Sequence, residues 1–132
     1  MVDISEMFQV ETQRLVNELL GSILKLNFVV VTTADGFEVA SSESSQFSRE
    51  DIAKLAAMSS SIAVIGNMAV KEVSHAEQYE SILIEGAENY ILILGIPHPQ
   101  RSLIMGLVAS HDAVLGQVLY HAKMVAAQIC KI

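Results

Sequence analysis

Three segments of this chain carry apolar residues at every position of a strand-forming run: FVVV at 28–31, ILIL at 91–94 and LIM at 103–105. Successive side chains of a strand point to opposite faces of its sheet. A run that is apolar at both parities therefore requires cover on both faces, which implies three layers, helices over sheet over helices. This requirement constrains the fold more than any other feature of the sequence.

The remaining elements follow from periodicity and punctuation. Residues Ser5 to Leu24 read as an amphipathic helix, with Phe8, Leu15, Leu19 and Ile23 at helical spacing. Phe28 to Thr33 reads as a strand. Asp35-Gly36 marks a hairpin turn, Phe37 to Ala40 the return strand, and Ser41 to Gln46 a polar loop. Ser48 with Asp51 three residues on resembles a capping box, opening a long helix to about Val73. Strands are expected at Tyr79 to Glu85, Tyr90 to Ile96 and Leu103 to Ala109, the first two joined by a turn at Gly86 to Asn89. Ser110 or Asp112 is placed to cap a last helix to about Cys130, with Leu115, Val118, Leu119, Ala122, Val125, Ala126 and Ile129 on one face. The order is αββαβββα in one domain spanning residues 1–132, an α/β (α+β) three-layer sandwich.

Widths then expose a deficit. Five strands about 4.8 Å apart make a sheet about 24 Å wide. A helix with its side chains is about 10–12 Å across. The first and last helices have polar outer sides and pair over one face. The middle helix is left alone on the other, and about half of that face lacks a roof. The same helix has no charged residue between Leu55 and Val70. Its stripe of Ile52, Leu55, Ser59, Ile62, Gly66, Ala69 and Val73 suits the sheet. Ala57, Ser61, Val64 and Met68 lie opposite, with Met58 and Ile65 on the flank. A helix covering a sheet is normally charged outside. This pattern predicts an interface, most simply a two-fold homodimer with paired middle helices.

Composition excludes several function classes. The chain has 132 residues, 52% of them hydrophobic and 17% charged, too apolar for a disordered segment. A net charge of −7 without a basic cluster argues against nucleic acid or anionic lipid as partner. The single cysteine, Cys130, permits neither an internal disulfide nor a cysteine-based zinc site, and is read as a packed, inert thiol. No secretory signal stands at the start, and the uninterrupted apolar runs are far below the ~18 residues that span a bilayer. A cytoplasmic protein without membrane insertion is expected.

Chemistry is sparse. The seven glycines form neither a P-loop nor a dinucleotide fingerprint. His75, His98, His111 and His121 have no metal-ligand spacing, so no metal or cofactor is expected. His111 and His121 are read as surface residues near opposite ends of the last helix, and His98 as a solvated turn residue. Ser59-Ser60-Ser61 lies in mid-helix, where serines bond back to the backbone. Glu85 and Glu88 read as solvated turn charges, and Arg14, Arg49 and Arg101 as surface arginines. No catalytic constellation results, and an enzyme is not expected.

The segments VVVTTADGFEVASS (29–42), KLAAMSSSIAVIGNMAVKEV (54–73), YESILIEGAENYILILGI (79–96) and LIMGLVASHDAVLGQVLYHAKMVA (103–126), taken together in this order, resemble the roadblock/dynein light chain family in its bacterial and archaeal form with an extra leading helix. The resemblance implies a roadblock (profilin-like) architecture with one five-stranded antiparallel sheet. It also implies a homodimer in which middle helices lie side by side and edge strands at Tyr79 to Glu85 join two sheets into one. Family members are non-catalytic partners of small Ras-like GTPases, some acting as GTPase-activating proteins, or scaffold subunits. The contact residues this implies are Lys54, Ala57, Met58, Ser61, Val64, Ile65 and Met68 on the helix, with Tyr79, Ser81 and Leu83 on the strand. An adaptor without GTPase regulation and a small-ligand-sensing module are the alternatives. The Pro97-His98-Pro99 turn and the Ser110-His111-Asp112 segment depart from the family pattern in loops where partner choice can reside.

Overall fold

The computed structural model describes residues 5–44 and 46–132. Their elements are α1 (Glu6–Ser22), β1 (Leu26–Thr33), β2 (Glu38–Glu43), α2 (Arg49–Val73), β3 (Ser81–Glu85), β4 (Asn89–Ile96), β5 (Leu103–Ser110) and α3 (Leu115–Ile129). The five strands form one antiparallel sheet in the order β2-β1-β5-β4-β3. The αββαβββα order and the three layers agree with the sequence reading.

The two faces are packed by two separate clusters. Phe8, Leu15, Val16 and Leu19 of α1 join Val118, Ala122, Val125 and Ile129 of α3 over Val29, Val31, Leu92, Leu94, Met105 and Leu107. On the other face, Ile52, Leu55, Ala56 and Ala63 of α2 meet Phe28, Val30, Ile93, Ile104 and Val108. Each run that is apolar at both parities thus feeds both clusters, as at Ile93 and Leu94. All eight residues of β1 are buried.

Local chemistry sets the element ends. Ser5 Oγ accepts from the Phe8 N–H to start α1. The α2 capping box is complete, with Ser48 Oγ accepting from the Asp51 N–H at 3.2 Å and Asp51 Oδ2 from the Ser48 N–H at 3.1 Å. Gly36 takes φ +91° in the β1–β2 turn, a conformation L side chains rarely adopt.

Several sequence expectations are corrected. The first helix ends at Ser22, because Ile23 is extended and Lys25 is left-handed at φ 71°. Ser41 to Glu43 continue β2 instead of opening the loop, since they pair with Val30, Val29 and Phe28. Ser45, in that expected loop, lies outside the described residues. Neither Ser110 nor Asp112 caps α3. Its N-cap is Val114, without a side-chain hydrogen bond, while Asp112 is engaged by Lys25. His111 consequently sits in the turn before α3. His98 is buried, not solvated: its Nδ1 accepts from the Gln100 N–H at 3.1 Å, and its Nε2 lies 3.3 Å from the Ile132 carbonyl oxygen. Its ring meets Phe8 edge-on. Tyr79 precedes β3 instead of belonging to it.

The expected α2 stripe holds at Ile52, Leu55 and Ser59 and then drifts. Ala63 is buried, whereas Ala69 and Val73 are exposed. The last turns of a 25-residue helix run past the sheet they cover. By length and mean hydropathy α2 would pass for a membrane-spanning helix. Its inner side is instead packed on the sheet, and its apolar outer side accounts for the rest of that hydropathy.

Candidate interaction surface

A single helix roofs the second face of the sheet. It lies over β1, β5, β4 and part of β2. It meets β3 through Ile82: a side chain at Gly66 would begin 2.5 Å from Ile82 Cδ1 and 3.3 Å from Tyr79 Cδ1. The bare Gly66 backbone lets the helix sit against both. Farther along the same strand, Ile84 on the α2 side remains exposed, and Leu83 on the opposite side does too.

The outer side of α2 continues this surface. Met58, Val64, Ile65 and Met68 are each 52–64% exposed. Ala57 and Ser61 are exposed between them. Charges stand only at its two ends: Lys54, 3.5 Å from Glu50, at the start, and Lys71 and Glu72 beyond Met68. Of the ten residues named from the sequence, six (Ala57, Met58, Ser61, Val64, Ile65 and Met68) thus form one exposed, uncharged face, with Lys54 at its rim. Ser81 and Leu83 lie on β3, the outermost strand on that side. Tyr79 does not join them. Its ring is turned under α2, and its N–H donates to Asn67 Oδ1 at 3.1 Å.

The two sheet edges differ. At β2, the Gln9 Nε2 donates to the Val39 carbonyl at 3.2 Å, and Gln13 bonds both polar groups of the Ser41 backbone. Side chains of α1 thereby occupy the places a further strand would take. At β3, the hairpin bond from the Gly86 N–H to the Asn89 carbonyl fixes the alternation. It turns the backbone groups of Ile82 and Ile84 toward β4 and those of Ser81, Leu83 and Glu85 toward the open edge. Gln9 and Gln13 were missed in the sequence, although their spacing of four on the polar side of α1 marks them as neighbours.

The chemically suggestive groups have structural partners. Ser59 Oγ donates to the Leu55 carbonyl at 2.7 Å. Arg14 pairs with Glu11 and Glu18, and Arg49 with Glu38. The guanidinium of Arg101 lies 4.4 Å over the Phe8 ring. Glu85 is solvated but 3.0 Å from His111 Nε2, with His111 stacked on Tyr90. Burial pushes the Cys130 thiol up, so it is a poor nucleophile. Among the described residues no three His, Cys, Asp or Glu side chains converge as a metal site.

Comparison with known proteins agrees with this architecture. Residues 13–96 match the family model described as Roadblock/LC7 domain. No curated protein matches the sequence. Among solved structures, Myxococcus xanthus MglB superposes with a TM-score of 0.83 at 15% identity, covering 99% of this chain and 92% of that one. A structure of MglB with tetrameric arrangement gives 0.82 at 16%, covering 97% and 91%. The gliding protein MglB of Thermus thermophilus gives 0.81 at 15%, covering 97% and 92%. At such identities the likeness establishes the fold.

Proposed function

The chain belongs to the Roadblock/LC7 domain family, and from that premise we propose that it is a non-catalytic regulator or scaffold, a homodimer that binds a small Ras-like GTPase. The observation that carries this reading is the continuous uncharged face of α2 beside the open edge of β3. Two copies related by a two-fold axis would pair their β3 edges through Ser81, Leu83 and Glu85. The second α2 would then lie beside the first, over Ile84, and complete the missing half-layer. The tetrameric arrangement solved for MglB supports self-association of this fold.

The paired helices would present a rigid platform to the GTPase. A platform of this kind acts by binding one state of the switch segments more tightly than the other, and it shifts their population only by that difference. Among the described residues no catalytic constellation is assembled, and in this reading the GTPase would supply the chemistry. The test is co-purification with a Ras-like GTPase loaded with GDP or with a non-hydrolysable GTP analogue, followed by turnover of GTP. Preferential binding to one nucleotide state with altered turnover supports regulation. Binding that ignores the nucleotide reduces the role to an adaptor, and absence of binding overturns the GTPase reading.

A further inference from the structure

β4 outruns β3. The ladder between them ends at Ser81 and Leu94, while β4 continues through Gly95 and Ile96. Where the missing strand would lie, a cavity of about 690 Å³ opens between the end of β4, α2 and α3. That volume is in the range of small-ligand sites. Its walls mix aliphatic side chains, Ala63, Leu94, Ile96 and Ala126 among them, with polar ones.

Three polar side chains of these walls have no side-chain hydrogen bond or ion pair among the described residues. Tyr79 is only 9% exposed. Its ring is wedged at Gly66, and its Oη lies 3.9 Å from where a side chain on Gly95 would begin. That hydroxyl makes no hydrogen bond among the described residues. Arg101 and Lys123, also lining the cavity, have no carboxylate within ion-pair distance among the described residues, whereas Arg14 and Arg49 both do. Glu80 is the one acidic residue of the lining, so this is a net cationic cavity in a chain of net charge −7. His98 lines it too, but both its ring nitrogens are occupied.

We propose that this cavity binds a small organic acid, its carboxylate held by Arg101 and Lys123 on the α3 side and its apolar body running past Gly95 toward the Tyr79 ring on the α2 side. The aliphatic walls alone would take an alcohol as readily as an acid. The two cations are what make the carboxylate the preferred head group. This site is distinct from the GTPase platform, sharing only Val64 and the displaced Tyr79 with the ten interface candidates.

The experiment is an amide NMR titration of the full chain with octanoate and, separately, with octanol, together with the thermal midpoint in each. Saturable shifts centred on Tyr79, Gly95 and Arg101 are expected, with octanoate bound about tenfold more tightly than octanol. In Lys123→Gln and in Arg101→Gln the preference for the acid should shrink. Lys123 is exposed, so its variant reports on binding even if loss of the Arg101–Phe8 contact unsettles the other. Equal affinity for acid and alcohol, or shifts confined to the outer face of α2, would overturn the proposal.

Discussion

The Gln13 side chain grips the backbone of Ser41 at both ends: its Nε2 donates to the Ser41 carbonyl at 2.6 Å, and its Oε1 accepts from the Ser41 N–H at 3.3 Å. A carboxamide here stands in for one residue of a sixth strand. It leaves β3 as the sheet edge available for pairing. Gln13→Ala should cost about 1–2 kcal/mol for two part-buried hydrogen bonds. It should also open the β2 edge to edge-to-edge association. Urea denaturation measures the first effect, and light scattering against protein concentration measures the second.

Close approach of α2 to the sheet depends on Gly106 of β5. A side chain there would begin 3.0 Å from Ser59 Oγ and 3.3 Å from Leu55 Cδ2. Ser59 cannot yield freely, because its hydroxyl is bonded to the Leu55 carbonyl. Gly106→Val should therefore destabilise the fold by about 2–3 kcal/mol through overpacking. Chemical denaturation reads the loss. Weakened self-association in the same variant would follow from a displaced α2.

The α2 capping box predicts a smaller effect. Ser48→Ala removes the hydroxyl that accepts from the Asp51 N–H, and should cost about 1 kcal/mol. Ser48→Asn should recover most of it. The two denaturation midpoints check this directly.

Two carboxylates contribute to the response to acid. Hydrogen bonds from the Lys25 ammonium and the Ser110 hydroxyl hold Asp112 at about 2, below its ordinary 3.8. Hydrogen bonds from the Ser48 backbone and hydroxyl likewise hold Asp51 below the usual carboxylate range. Each group binds its proton more weakly folded than unfolded. Its stabilising contribution is thus full above its ordinary pKa and fades as pH falls through its folded value. Melting curves between about pH 4 and pH 2 should show a shallower decline in Asp112→Asn than in the wild type. An identical slope would place the acid sensitivity elsewhere.

What the sequence made legible follows from periodicity. FVVV and ILIL are apolar at both parities, and both faces beneath them are packed. The Ser48–Asp51 spacing forms the capping box it predicts. The uncharged run from Leu55 to Val70 ends with Met58, Ile65 and Met68 exposed. Features that depend on distant partners were not legible. Polar Ser41 and Ser42 look like loop residues until β1 and Gln13 supply their hydrogen bonds. His98 looks solvated until the Phe8 ring and the Ile132 carbonyl close over it. Tyr79 has strand-forming character, yet Gly66 and Asn67 on α2 draw it out of the edge. The displaced Tyr79 lines the cavity beyond β3, which no local pattern marks.

Whether the bare side of α2 is completed by a second copy is tested most directly by sedimentation equilibrium of the wild type and of Ile65→Lys. Ile65 is 64% exposed, so the lysine leaves the core of one copy intact. The wild type should sediment at about twice 14.3 kDa and the variant near 14.3 kDa, with the same thermal unfolding cooperativity at high dilution. A wild type that stays at 14.3 kDa at high concentration would contradict the account, as would a variant that dimerises unchanged.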